Sequence, residues 1–289
     1  MLHHFSQKDL NKIQKAHLSG HVKESTAVFD EKLYADIRAI IKKLQTEHDR
    51  LAAINALTTM DIKNNYQEKI VMMMMHLITK LPLSKIDSRS GEINLCTNYL
   101  DPVLCSILND DEDERLLQWP NTKAEDSKSK RPDAVVFNML QNQYDTSVCY
   151  GEAKLEEAKK VPNMLVQDLL RLALFSKDTI DTKRLSSCMS FQAVGQHIVF
   201  YLTSLKNDGL YIMSELADIY CPASIDDLLN FINCFDDLLK VMIAMDSINV
   251  DNDDQKKTYR RRSFDSPQFR AFLQKKRCDF NGERSYLKF

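Results

Sequence analysis

The chain has 289 residues, long enough to bury a substantial core, and its 44% hydrophobic and 28% charged content is ordinary for a globular protein. Its 39 basic residues are balanced by 41 acidic ones, which excludes a protein that coats nucleic acid by bulk charge and leaves room only for a local basic rim. Six glycines in 289 residues mean few tight turns, which excludes an all-β sandwich and favours long helices.

The first residues, MLHHFSQKDLNK, lack the charged-then-apolar pattern of a secretory signal, and nowhere do 18 apolar residues run together. An intracellular protein, cytoplasmic or nuclear, is expected: not secreted, and with no membrane partner. Seven scattered cysteines form no CxxC pair, so neither a zinc module nor a disulfide framework is indicated.

Residues 1–83 read as a helical region. In EKLYADIRAIIKKLQTEHDRLAAI, Leu33, Ile37, Ile40, Ile41, Leu44 and Leu51 recur at spacings near three and four. Met72 to Met75 then supply flexible core fillers, with His76 beside them rather than on a metal. The polar stretch SKIDSRSGE (84–92) opens a second region, 84–250. A helix follows, with Ile93, Cys96, Leu100, Leu104 and Leu108 on one face. Pro102 is expected either to kink it or to restart it with Asp101 as the N-cap.

Residues 110–131 read as a loop, and the acidic run DDEDE within it as a solvated one. Strands are expected near 133–139 and 147–153, a helix after Pro162, strands at 196–205 and through GLYIMSELADIYC, and a long helix from Ser224 to about 246. The remainder, 251–289, is a charged tail containing YRRRSF and LQKKR. The succession describes an α/β (α+β) protein behind a helical extension.

Chemistry concentrates in RPDAVVFNMLQNQYDTSVCYGEAK (131–154). Side chains of a strand alternate faces, so Glu152 and Lys154 point one way while Cys149, Gly151 and Ala153 make an opposite face of small residues, open to close packing by a helix. If the preceding strand pairs alongside, Asp133 approaches Glu152. Two hard carboxylates suit Mg²⁺ or Mn²⁺, and a lysine two residues on suits charge stabilisation beside a bound water. Asp/Glu-x-Lys alone is weak, since it begins at seven positions in this chain. Glu152 stands out because it ends a strand-like run and follows Arg131-Pro132-Asp133, which opens another. The same residues also suit an ordinary salt bridge at a strand rim.

This arrangement resembles the PD-(D/E)xK, or restriction-endonuclease-like, nuclease superfamily, on Pro132-Asp133 and Glu152-Ala153-Lys154. SGEINLCTNYLDPVLCSIL, RPDAVV, YGEAK, QDLLRLALFSKDTID and FYLTSLKNDGLYIM also resemble a mainly fungal group of proteins to which no activity is attached. The resemblance spans residues 90 to 247 and implies an αβββαβ core. It implies catalysis by Glu92, Asp133, Glu152 and Lys154, with Asp133, Glu152 and Glu92 as ligands of Mg²⁺ (or Mn²⁺). Glu92 enters as the acid that a helix before the first strand supplies in that superfamily. Lys128, Lys130, Arg131, Gln167 and Arg171 are the expected contacts to nucleic acid, DNA first. The alternative is a catalytically inactive protein that uses the same fold as a protein or nucleic-acid interaction module, with a protein partner or a second copy of itself. P-loop, dinucleotide-binding, serine-hydrolase and HExxH patterns are absent from the sequence.

Overall fold

The structure, a computed structural model, describes residues 6–23, 27–86, 91–112, 114–119, 131–206 and 209–251. The charged tail, Lys128 and Lys130 lie outside the described residues.

Four helices come first, each opened by a side-chain cap that satisfies an orphan backbone N–H. Ser6 and Asp9 form a reciprocal capping box on α1 (Gln7–Leu18). Asp30 caps α2 (Glu31–Glu47), Asp49 caps α3 (Arg50–Thr58) and Asn64 caps α4 (Asn65–Lys80). Leu33, Ile37, Ile41 and Leu44 bury one stripe of α2, as their spacing predicts, whereas Leu51 lies on the separate α3 and is exposed. Met73 and Met74 are fully buried, Met72 is exposed, and His76 hydrogen-bonds Ser106 Oγ at 3.1 Å on the surface.

The next helix is continuous but changes pitch. A short α5 (Glu92–Asn94) runs into a π-helical turn (Leu95–Leu100) and then α6 (Asp101–Leu108). Asp101 is helical rather than an N-cap, so Pro102 neither restarts nor terminates the helix. The wider turn just before it takes up the missing N–H and the bulk of the proline ring.

A six-stranded sheet follows in the order β1 (Arg115–Gln118), β2 (Ala134–Leu140), β3 (Gln143–Lys154), β4 (Cys188–Val194), β5 (His197–Lys206), β6 (Leu210–Tyr220). Neighbours are antiparallel except β3 and β4, which are parallel because α7 (Pro162–Lys183) crosses between them. From α6 onward the succession is therefore α, three β, α, β, then two more strands: a mixed, α+β fold. The tight β2–β3 turn places Gln141 and Asn142 at φ 51° and 61°, the left-handed pair that a two-residue hairpin needs. The segment from Ser224 on is not one long helix. It breaks into 3₁₀ turns around α8 (Leu228–Phe231) before α9 (Phe235–Asp246).

Helix α7 covers one face of the sheet, where Tyr150 stacks on Phe175 with centroids 5.3 Å apart and bonds Thr179. On the other face α4, α6 and α9 pack on one another. The small residues of β3 turn to that side, yet no helix fills the space above Gly151. The ring of Phe191, its partner on β4, does. Buried side chains of α2 to α4, the sheet, α6 and α9 form one contiguous apolar cluster. Helix α1 is tied to the sheet by buried His17, whose two ring nitrogens bond Ser214 Oγ at 2.8 Å and Ser204 Oγ at 2.7 Å.

The acidic run is not wholly solvated. Asp110 is buried between Lys69 Nζ (2.6 Å) and Arg115 Nη2 (3.3 Å), and Arg115 also reaches Asp246 at 2.5 Å. The segment expected to be loop thus contains both β1 and a charge network that anchors it. Among the described residues no helix is long and apolar enough to cross a membrane.

Candidate active site

The β2–β3 register pairs Ala134 with Gly151 and Val135 with Tyr150, and one step further sets Asp133 opposite Glu152. Asp133 Oδ2 accepts from the Ala153 backbone N–H at 2.9 Å, which fixes the carboxylate over the end of β3. Lys154 donates to that same oxygen at 2.7 Å and to the Ala153 carbonyl at 2.9 Å. Its ammonium also lies 3.5 Å from Glu152 Oε2 and 3.7 Å from Glu92 Oε1. Three carboxylates, from the residue just before β2, from β3 and from a helix, thus surround one lysine.

Exposure grades across the site: the Glu92 side chain is 52% exposed, Asp133 36%, Lys154 21% and Glu152 1%. Depth has an electrostatic consequence. Burial, then the neighbouring Asp133 charge, raise the Glu152 carboxyl to about 7, against the pull of Arg171 and Lys154. Burial acts to lower the Lys154 ammonium, but the hydrogen bond and charge of Asp133, with Glu152 and Glu92 behind it, outweigh burial and raise it.

Helix α7 supplies the inner wall. Arg171 Nη2 donates to Glu152 Oε2 at 3.2 Å and to Asp168 Oδ1. Asp168 is almost fully buried, and nothing in the sequence pattern singles it out. Its one local signal is the acid-then-arginine spacing of i, i+3 along a helix. Arg171, expected at nucleic acid, faces the carboxylates of the site, while Gln167, one turn earlier, is half-buried. Arg131 is half-buried two residues before Asp133.

The helix that brings Glu92 is held in place from the sheet side: Trp119, just past β1, donates from Nε1 to Asp101 Oδ1 at 2.9 Å.

The donor set is oxygen-only and hard, and Glu152 Oε1 is buried with no hydrogen-bond partner among the described residues. Both features fit a small divalent cation such as Mg²⁺. Among the described residues, however, no three His, Cys, Asp or Glu side chains stand together in an arrangement that could hold a metal ion. The carboxylates converge on the ammonium of Lys154 instead. A scan against protein-family models and searches of characterised proteins and of solved structures each find no match.

Proposed function

We propose that this protein is a divalent-cation-dependent nuclease of the PD-(D/E)xK type that hydrolyses phosphodiester bonds in DNA. One observation supports the reading above all: Glu92, Asp133 and Glu152 gather around Lys154 at the joint end of β2 and β3. Desolvation offsets most of the attraction such a cluster gains, so its charges add little net stability.

Asp133 and Glu152 would hold the cation, with Glu92 as an outer acid. When bound there, a divalent ion lowers the pKa of its water and polarises a phosphoryl oxygen. The chain's own residues do the rest. Arg171 holds the Glu152 carboxyl in place from the α7 side, and the Ala153 N–H does the same for Asp133. Lys154, kept charged by its acidic neighbours, supplies a fixed positive charge for the phosphate as negative charge builds on it.

Purified protein with Mg²⁺ or Mn²⁺ should cut DNA, and Asp133→Ala should abolish cutting while leaving the fold intact by circular dichroism. Equal activity in that variant sinks the assignment. A second reading, a non-catalytic interaction module, draws support from the absence of a ready three-ligand set among the described residues. Calorimetric titration with Mn²⁺ separates the two, since only the nuclease reading requires binding that depends on Asp133 and Glu152.

A further inference from the structure

A cavity of about 350 Å³ opens where the candidate site ends. Leu155 and Glu156, directly after Lys154, line it together with Leu95 and Tyr99, which lie on the π-helical turn behind Glu92. The Gly195–Gln196 turn between β4 and β5, Tyr220 at the end of β6 and Lys85 form further parts of the wall. These parts are joined by backbone: Gly195 N donates to the Lys154 carbonyl at 2.7 Å, and Cys221 N to the Gln196 carbonyl at 2.8 Å. Gly195 sits at φ 61°, and a Cβ there would come 2.3 Å from Glu156 Oε2, so the turn has no side chain where that carboxylate lies.

The lining identifies the kind of occupant. Its volume is at the small end of ligand pockets, about 300–1,000 Å³. Two tyrosines and two leucines offer apolar and aromatic surface, and Tyr220 is 53% exposed, so its ring is available to stack. Of the charged lining groups, Glu156 and Glu157 accept hydrogen bonds from an exocyclic amino group, while Lys85 is a cation suited to the adjoining phosphate. Glu156 is already paired with Lys159 at 2.7 Å, which leaves Glu157 as the acceptor for the occupant. An aromatic, carboxylate-edged pocket beside a phosphate-handling centre suits a nucleobase taken out of a duplex.

We infer that this cavity seats one unpaired, amino-bearing base of the substrate strand, next to the phosphate presented to Lys154. The inference rests on the nuclease reading for the identity of the ligand. It makes the substrate a single strand or a frayed end rather than an intact duplex, because a base held in a duplex is stacked and paired and must leave that stack to enter a pocket.

The test is the affinity of a fluorescently labelled oligo(dC) and of a hairpin duplex for the full chain in EDTA, where no cutting occurs. Wild type should bind the single strand more tightly than the duplex. Tyr220→Ala should weaken single-strand binding about tenfold, in line with the loss of one stacked base, and Tyr220→Phe should restore it. Oligo(dT), which lacks the amino group, should bind more weakly than oligo(dC). A Tyr220→Ala variant with wild-type affinity overturns the pocket, as does a wild type that binds duplex better than single strand. If single-strand binding depends on Tyr220 but no divalent cation elicits cleavage, the pocket stands and the nuclease reading falls.

Discussion

A Cβ placed on Gly151 would come 2.1 Å from Cζ of Phe191, its register partner across the parallel β3–β4 pair. Phe191 cannot retreat, because it is fully buried and its ring lies against Trp119 on one side and Phe200 on another. Gly151→Ala should therefore destabilise the fold by about 1–3 kcal/mol through overpacking, as measured by urea denaturation. Phe191→Leu in the same chain should recover part of that loss, giving a favourable coupling in a double-mutant cycle. Additive losses would mean that the two side chains do not compete for the same space. Glu152 is the next residue along, so the single variant should also disturb the candidate site.

Glu152 gives the metal-free protein a pH dependence of definite sign. Its folded value of about 7 lies above the ordinary 4.5, so folding favours the neutral carboxyl. The contribution is fully present below about pH 4.5 and is lost as pH rises through 7. Its size is of the order of 3 kcal/mol at 1.36 kcal/mol per unit. Glu152→Gln should remove this falling limb in denaturant titrations run from pH 4.5 to 7.5. Mn²⁺ binding by the wild type should strengthen over the same range, because the cation and the proton compete for one carboxylate. Binding that is flat across pH 7 would contradict this account of the site.

His17 works in the opposite sense. Burial first, and then the charges of Lys206 and His21, lower its folded value from 6.5 to about 4, so the folded chain favours the neutral ring between Ser204 and Ser214. Its contribution is present above pH 6.5 and is lost as pH falls towards 4, by roughly 3 kcal/mol at full extent. Between pH 4.5 and 6.5 the slopes from His17 and Glu152 oppose each other, and the wild type should show a nearly flat profile. Each variant should unmask the other group: His17→Gln leaves stability falling with pH, and Glu152→Gln leaves it rising. Parallel profiles for the two variants would contradict both assignments.

Much of the fold and of the site is legible in the residues, and the gaps have physical reasons. Strands β2, β3, β5 and β6 show in their β-branched and aromatic runs, and the helices in their three-and-four spacing. Strand β4 does not show, because nearly every residue of CMSFQAV is buried and the two faces carry no contrast. Strand β1 is four residues inside a charged segment, too short for any period to register. Asp133, Glu152 and Lys154 can be placed together because strand pairing converts sequence spacing into contact. Asp168 cannot, since an acid facing inward from a 22-residue helix looks like any acid facing out. Asp110 is hidden in the same way: its partner Lys69 lies 41 residues earlier in the chain.

The π-helical turn at Leu95–Leu100 makes the placement of Glu92 a matter of counting. Such a turn carries one residue more than a regular helix, so the segment before it is rotated by about 100° relative to the segment after it. Deleting one residue from this turn would let the helix close up into uniform pitch. Glu92 would then swing about a quarter-turn off the axis that points it at Lys154, while Asp133, Glu152 and the sheet stayed where they are. The third acid of the site is thus addressed by register rather than by any contact of its own backbone. A one-residue deletion could separate its contribution from the other two without altering a single charge.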